Sequence, residues 1–237
     1  MEGLQIIGMA LENGATPLEV FASPPQFHGD TAPKLLATMD QAGARITEVA
    51  PNVMSRLSDR EEPQGLVVAF ALLQSDIAEI IKAANPSLVF VLDRLQDPGN
   101  LGTLIRTADA VGAAGIVLIE PCVDRFDPKT VGASMGSLFS LPIVASDDAG
   151  PVFSALADWT IVAADAHEGE LAWQGSSLDG SVALVLGNEA HGLTAELRPR
   201  IAEWVRLPIL GKAESLNVAV AGGTLSYEWL RRNHPAP

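Results

Sequence analysis

Two carboxy-terminal stretches constrain this chain more than any other part of it. Leu184-Val185-Leu186-Gly187-Asn188-Glu189-Ala190-His191-Gly192-Leu193 is the first, and Leu207-Pro208-Ile209-Leu210-Gly211-Lys212-Ala213-Glu214-Ser215-Leu216-Asn217 is the second. Each begins with apolar residues that read as a buried parallel strand and ends in a polar turn bearing glycine. Open α/β sheets bind ligands beyond the carboxyl ends of such strands. The two turns are therefore the expected ligand site, and Ser215-Leu216-Asn217 leads from it into a helical run of small residues.

The rest of the carboxy-terminal part agrees with a sheet of that kind. After a break at Asn85-Pro86-Ser87, strands are expected over 88–92, 116–119, 141–144, 160–164, 182–186 and 204–207. Helices are expected over 101–111, 128–135, 151–156, 194–201 and from the second stretch through Arg232. This alternation implies a mostly parallel sheet covered on both faces. Before the break lies a smaller α/β unit, with helices over 4–13, 32–43, 53–57 and 75–84 and strands over 18–21, 45–49 and 66–70. Gly14 and Gly43 stop its first two helices. Two domains follow, residues 1–84 and 88–233, with a frayed tail from Asn233 to Pro237. No internal repeat or low-complexity segment is present.

Composition narrows the function. The 237 residues, 48% of them hydrophobic, are ample for a packed core. No apolar run approaches the roughly 20 residues of a membrane span. The amino terminus has neither the basic nor the long apolar segment of a signal peptide, which reads as cytoplasmic. The single cysteine, Cys122, excludes an internal disulfide and a cysteine-based metal cluster, and its plain reading is a small buried hydrophobe. The four histidines lack ligand spacing, so no metal is expected. A net charge of −14 argues against a broad nucleic-acid face, because phosphate contacts need Lys and Arg. Yet Arg94, Arg106, Arg125, Lys129 and Lys212 fall in or near the motifs, whereas Glu61, Glu62, Asp147 and Asp148 lie outside them. A nucleic-acid site here would be a local basic pocket on an acidic body, salt-dependent and limited to a few phosphate contacts.

Three constellations could carry chemistry. In Asp97-Pro98-Gly99-Asn100-Leu101-Gly102-Thr103-Leu104-Ile105-Arg106-Thr107-Ala108, a Pro-Gly turn opens a helix that Asn100 can cap. Arg106 follows on a mostly apolar face, either as a solvent-facing arginine or as a ligand for an anion or hydroxyl. In the second, Gly187 allows close backbone approach to a ligand. Glu189 reads as a hydrogen-bond acceptor or as a carboxylate opening a helix, and His191 as an exposed turn residue rather than a base. In the third, Ser215 and Asn217 flank Leu216 as a ligand-closing loop or a simple N-cap. The following Gly222-Gly223 pair, which costs about 1 kcal/mol per glycine in a helix, reads as a tight helix–helix or subunit contact. No dinucleotide or Walker loop is present.

Together and in this order, the constellations resemble the three motifs of the SpoU (TrmH) family of RNA 2′-O-ribose methyltransferases, in the SPOUT superfamily. The likeness runs from Leu88 to Arg232 and rests on Asn100 with Arg106-Thr107-Ala108, on Leu186-Gly187-Asn188-Glu189 with Gly192, and on Leu207-Pro208 with Ser215-Leu216-Asn217. It implies a carboxy-terminal fold with a deep trefoil knot, a rare exception to un-knotted chains. It further implies S-adenosylmethionine held by backbone at Gly187, Leu207, Ile209 and Leu216, and a homodimer. Arg106 would contact the ribose or its phosphate, oriented with the substrate by Asn100, Glu189, Ser215 and Asn217. The amino-terminal unit, with Pro63-Gln64-Gly65 before a strand, resembles the RNA-binding domain of these enzymes, which is similar to a ribosomal protein. Met1-Glu2-Gly3 stands where such domains reach their Glu-Gly step, so an initial segment is expected to be missing. Ribosomal RNA is the expected substrate ahead of transfer RNA, because such auxiliary domains read structured RNA. Two rivals stay open: a non-catalytic RNA-binding or ribosome-assembly protein that keeps the fold, and a methyltransferase acting on a base or small molecule.

Overall fold

The computed structural model describes residues 1–83 and 85–234. The chain divides into two units, Met1–Leu73 and Gln74–Pro237. The first contains α1 (Leu4–Glu12), β1 (Pro17–Ala22), α2 (Thr31–Gln41), β2 (Arg45–Glu48), α3 (Pro51–Leu57) and β3 (Leu66–Phe70). Its sheet has the order β2-β1-β3, with β1 parallel to β2 and antiparallel to β3. Ile7 and Met39 from the helices meet Val20, Ala22, Leu66 and Val68 from the sheet in one core. Gly14 (φ +77°) and Gly43 (φ +85°) end α1 and α2. The next residues reach back five places, Ala15 N–H to Ala10 O and Ala44 N–H to Met39 O, which satisfies helix-terminal carbonyls.

The second unit carries the alternating elements. They are α4 (Ile77–Ile81), β4 (Leu88–Asp93), α5 (Pro98–Ala110), β5 (Gly115–Ile119), α6 (Pro128–Ser134) and β6 (Ile143–Ser146). After them come α7 (Ala149–Ala155), β7 (Thr160–Ala164), β8 (Glu170–Leu171), β9 (Val182–Leu186), β10 (Glu203–Arg206) and α8 (Val218–Asn233). The sheet order is β6-β5-β4-β9-β7-β10-β8 and every registered pair is parallel. All residues of β4, β5 and β9 are buried, which explains their unbroken apolar sequence. On one face, Ile80, Val152, Phe153 and Leu156 pack against Val89, Val91 and Val117.

On α5, close approach replaces side-chain bulk. A Cβ on Gly102 would meet Thr130 O at 2.6 Å, so only glycine lets α5 lie against α6 there. A Cβ on Gly222 would lie 2.6 Å from Leu104 Cδ2 and 2.7 Å from Leu186 Cδ1. The first glycine of the Gly222-Gly223 pair therefore serves packing of α8 on α5 and β9 within the chain, not a subunit contact. The far end of α8 is stapled to the connection between β8 and β9. Arg232 donates to Ala172 O (2.9 Å) and Gly175 O (2.6 Å), and Trp229 Nε1 donates to Gly180 O (2.9 Å). Glu228 pairs with both Arg231 and Arg232 at 2.8 Å.

Several sequence expectations shift in detail. No α-helix forms over 194–201, where turns end in a 3-10 segment, Arg198–Arg200. Pro199 disfavours α geometry at Arg198 and cannot donate into a helix. The helix expected over 75–84 is restricted to Ile77–Ile81 among the described residues, with Asp76 and Glu79 forming a capping box. Ala84 lies outside the described residues. Residues 235–237 of the expected frayed tail lie outside them too, and Asn233 closes α8. The two-residue β8 has no counterpart in the sequence reading.

Candidate active site

The polypeptide segments following β4, β7, β9 and β10 leave the sheet at its carboxyl edge, the side on which open parallel sheets bind ligands. Those after β7, β9 and β10, with the first half of α8, enclose a cavity of about 570 Å³, within the range of roughly 300–1,000 Å³ typical of small-molecule sites. Leu186, Val205, Leu207, Leu216 and Leu225 supply apolar lining, Gly187 and Ile209 border it, and Asp165, Glu189, Glu214, Ser215 and Asn217 supply polar groups. All four residues expected to hold a cofactor, Gly187, Leu207, Ile209 and Leu216, thus line one cavity.

Gly187 sits where the chain doubles back. Asn188 and Gly192 exchange backbone hydrogen bonds of 3.0 and 2.9 Å, and Gly192 takes φ +65°. A Cβ on Gly187 would collide with the Gly192 carbonyl carbon and lie 2.6 Å from Leu193 N. Asn188 Oδ1 accepts from the N–H groups of Ala190 (2.9 Å) and His191 (3.1 Å), while its Nδ2 donates to Arg94 O at 2.8 Å. This ties the turn after β9 to the turn after β4, where Arg94 adopts φ +55°. Buried Asp93 adds a second tie by accepting from Thr194 N–H at 2.7 Å. His191 is exposed and lies against Asn188 Oδ1 rather than a carboxylate. No helix follows Glu189, so that carboxylate is not stabilised by a helix start.

The cap of α5 differs from expectation and frees the Asn100 side chain. Asp97, not Asn100, caps the helix by accepting Asn100 N–H at 2.7 Å, with Pro98 at the first helical position. The Asn100 side chain instead joins a relay. Asn217 Oδ1 caps α8 by accepting from Ala219 N–H (2.9 Å) and Val220 N–H (3.3 Å), which leaves Nδ2 to donate to Asn100 Oδ1 at 2.9 Å. Asn100 Nδ2 then donates to Glu189 Oε1 at 2.9 Å. Because a helix cap requires an oxygen, the orientation of Asn217 is fixed, and it dictates that of Asn100. The relay joins three segments that lie 89 and 117 residues apart in sequence.

Ser215 lines the cavity on an exposed loop. Arg106 does not join this group. It is exposed on α5, about 9 Å along the helix axis from Asn100, and it forms no ion pair or hydrogen bond with a described residue. It is a cation left available for an incoming group. Sequence reasoning missed Asp165 and His167, which border the cavity from the segment after β7. The readable signal was an acid directly after a buried strand of a parallel sheet. Cys122 stands apart as an inert thiol, since burial raises its pKa to about 11. Among the described residues, no cluster of three or more His, Cys, Asp or Glu could hold a metal ion, and no helix is long and apolar enough to cross a membrane.

Comparison with known proteins places both units in one family of enzymes. The profile of the SpoU rRNA Methylase family matches residues 87–227, and that of RNA 2′-O ribose methyltransferase substrate binding matches residues 1–75. The chain is 31% identical over 241 positions to the 23S rRNA (uridine(2479)-2′-O)-methyltransferase of Streptomyces viridochromogenes, covering 97% of this chain and 81% of that one. It is 33% identical over 187 residues to the 23S rRNA (guanosine(2553)-2′-O)-methyltransferase of Bacillus subtilis, covering 79% and 73%. The AdoMet-bound crystal structure of an rRNA methyltransferase from Sinorhizobium meliloti matches with TM-score 0.84 and 32% identity, covering 100% of this chain and 87% of that one. The SpoU methyltransferase AviRb from S. viridochromogenes, in complex with AdoMet, matches with TM-score 0.88 and 29% identity, covering 98% and 88%.

Proposed function

Since this chain belongs to the SpoU rRNA Methylase family, we propose that it is an S-adenosylmethionine-dependent RNA 2′-O-ribose methyltransferase acting on ribosomal RNA. The observation that carries this reading is that Glu189 and Asn217 belong both to the cavity wall and to the relay reaching Asn100. One arrangement thereby couples a cofactor-sized cavity to a polar group able to orient a substrate.

The cavity suits the cofactor chemically. Its apolar lining accommodates an adenine, and its acidic groups accommodate a cationic ligand. S-adenosylmethionine, when bound, supplies an electrophilic methyl group on a sulfonium. Gly187, Leu207, Ile209 and Leu216 hold it. A ribose 2′-hydroxyl is a weak nucleophile, so the protein must orient it and stabilise the charge that develops on its oxygen. Arg106 serves that role as a permanent cation. Asn100, held by Asn217 and Glu189, orients the substrate together with Ser215.

The larger assembly belongs to the same proposal. Residues 1–84 dock the RNA, and residues 88–233 form the catalytic domain, with the segment running into α8 threaded as a trefoil knot. The protein works in the cytoplasm as a homodimer. Val220 and Tyr227, more than half exposed on α8, are suited to that contact.

The test uses methyl-labelled S-adenosylmethionine with separated, unmodified ribosomal and transfer RNA. Label in ribosomal RNA is the expected result, and label confined to transfer RNA would overturn the substrate assignment. Absence of both transfer to either RNA and binding of the cofactor would favour a non-catalytic assembly factor.

A further inference from the structure

Asp165 follows the last residue of β7 and borders the cavity. β7 lies directly beside β9 in the sheet, so Asp165 stands one strand over from Gly187. Its backbone is fixed, because its N–H donates to Val205 O at 3.0 Å and prolongs the β7–β10 pairing. Its side chain is fixed as well. Oδ1 accepts from His167 N–H at 2.8 Å and Glu168 N–H at 3.0 Å, whereas Oδ2 makes no hydrogen bond with any described residue. Burial opposes the charge of Asp165, but these two N–H bonds, with His167 and Arg198 nearby, outweigh it and hold the pKa below the ordinary carboxylate value. Arg198 itself is engaged by Glu168 at 2.7 Å and stacks on the Trp204 ring at 4.5 Å.

The other cavity acids are placed differently. Glu189 is taken by Asn100 and, at 3.5 Å, by Gln96 N–H, and Glu214 stands on the exposed loop. Asp165 therefore offers a positioned acceptor oxygen on a strand end, flanked by the small residues Ala164 and Ala166. An acceptor-only carboxylate at such a strand end complements the vicinal hydroxyls of a ribose, as acids do in other open α/β sheets.

Resting on the cofactor reading above, we propose that Asp165 is a specificity-determining residue that accepts hydrogen bonds from the ribose hydroxyls of the cofactor's adenosyl group. Calorimetry on the full chain tests this with S-adenosylhomocysteine, its 2′-deoxy and 3′-deoxy analogues, and 5′-methylthioadenosine, which keeps the ribose but lacks the amino-acid portion. Asp165→Ala is expected to weaken S-adenosylhomocysteine binding about tenfold to a hundredfold, the range for hydrogen bonds to a charged group. Methylthioadenosine is expected to show the same loss, and at least one deoxy analogue is expected to bind both proteins alike. Asp165→Asn, which keeps an oxygen for the turn, is expected to weaken binding as Asp165→Ala does while lowering the melting temperature less than Asp165→Ala.

Equal losses for every analogue would make Asp165 a structural residue and overturn the assignment. A loss confined to ligands that carry the amino-acid portion would overturn it in favour of the cofactor ammonium, and undiminished affinity would overturn it outright. Failure of the unaltered protein to bind S-adenosylhomocysteine would instead sink the cofactor reading itself.

Discussion

Asn217 does two jobs with the two ends of one amide, and substitution can separate them. Its oxygen caps α8 while its nitrogen holds Asn100. Asn217→Asp keeps a cap acceptor but removes the donor. It should leave thermal stability close to that of the unaltered protein and lower the rate of methyl transfer. Asn217→Ala loses both and should also cost about 1 kcal/mol of stability, as lost N-caps do. Denaturation curves and single-turnover rates check the split, and equal loss of rate and stability in both variants would contradict it. Arg106→Ala should lower transfer by about 10²–10³-fold, the scale of a lost charge-stabilising donor, with S-adenosylmethionine affinity unchanged. Simultaneous loss of affinity would make Arg106 structural. Asn100, Glu189 and Asn217 stand out in the sequence through their motifs, but their hydrogen-bonded pairing does not. Asn100 has the composition of a helix cap, but Asp97-Pro98 precedes it with a cap and a first-turn proline of its own. Asp165 carried no motif, since only the sheet order brings the end of β7 beside Gly187.

At the scale of elements, glycines mark where backbones touch. A Cβ on Gly102 meets the backbone of α6, whereas one on Gly132 of α6 meets nothing within 4 Å. Gly102→Ala should therefore destabilise by about 1–3 kcal/mol through overpacking. Gly132→Ala should stabilise by about 0.5–1 kcal/mol through helix propensity. Chemical denaturation distinguishes them, and the same sign for both would contradict the packing account. The end of α8 carries a pH signature. Hydrogen bonds from Arg231 and, secondarily, Arg232 outweigh burial and hold Glu228 at a pKa of about 2, against an ordinary 4.5. A folded-state pKa below the unfolded one stabilises above the unfolded value and loses that stabilisation as pH falls towards the folded one. The melting temperature of Glu228→Gln should thus lie below that of the unaltered protein above about pH 4.5, and the gap should close towards about pH 2. Elements with short, wholly apolar runs, β4 and β9 above all, are legible because their length and β-branched content favour a covered parallel strand over a buried helix. The segment over 194–201 misled because its composition is helical while Pro199 forbids the helix, and β8 is too short to leave a period.

For the whole molecule, every residue lining the cavity comes from the second unit, between Ala164 and Leu225. A fragment covering 74–237 should therefore keep S-adenosylmethionine binding and lose most methyl transfer to RNA. Loss of cofactor binding by a folded fragment would show that the first unit contributes to the cavity. The charge of −14 predicts that RNA contact is confined to a few local cations and weakens steeply with added salt. The cavity and the relay are proposed to methylate a ribose hydroxyl together. The most direct test is alkaline hydrolysis of ribosomal RNA labelled by this protein. A 2′-O-methyl group blocks cleavage at its own phosphodiester, so label is expected in an alkali-resistant dinucleotide. Label released entirely in mononucleotides would put the methyl group on a base and contradict the proposal.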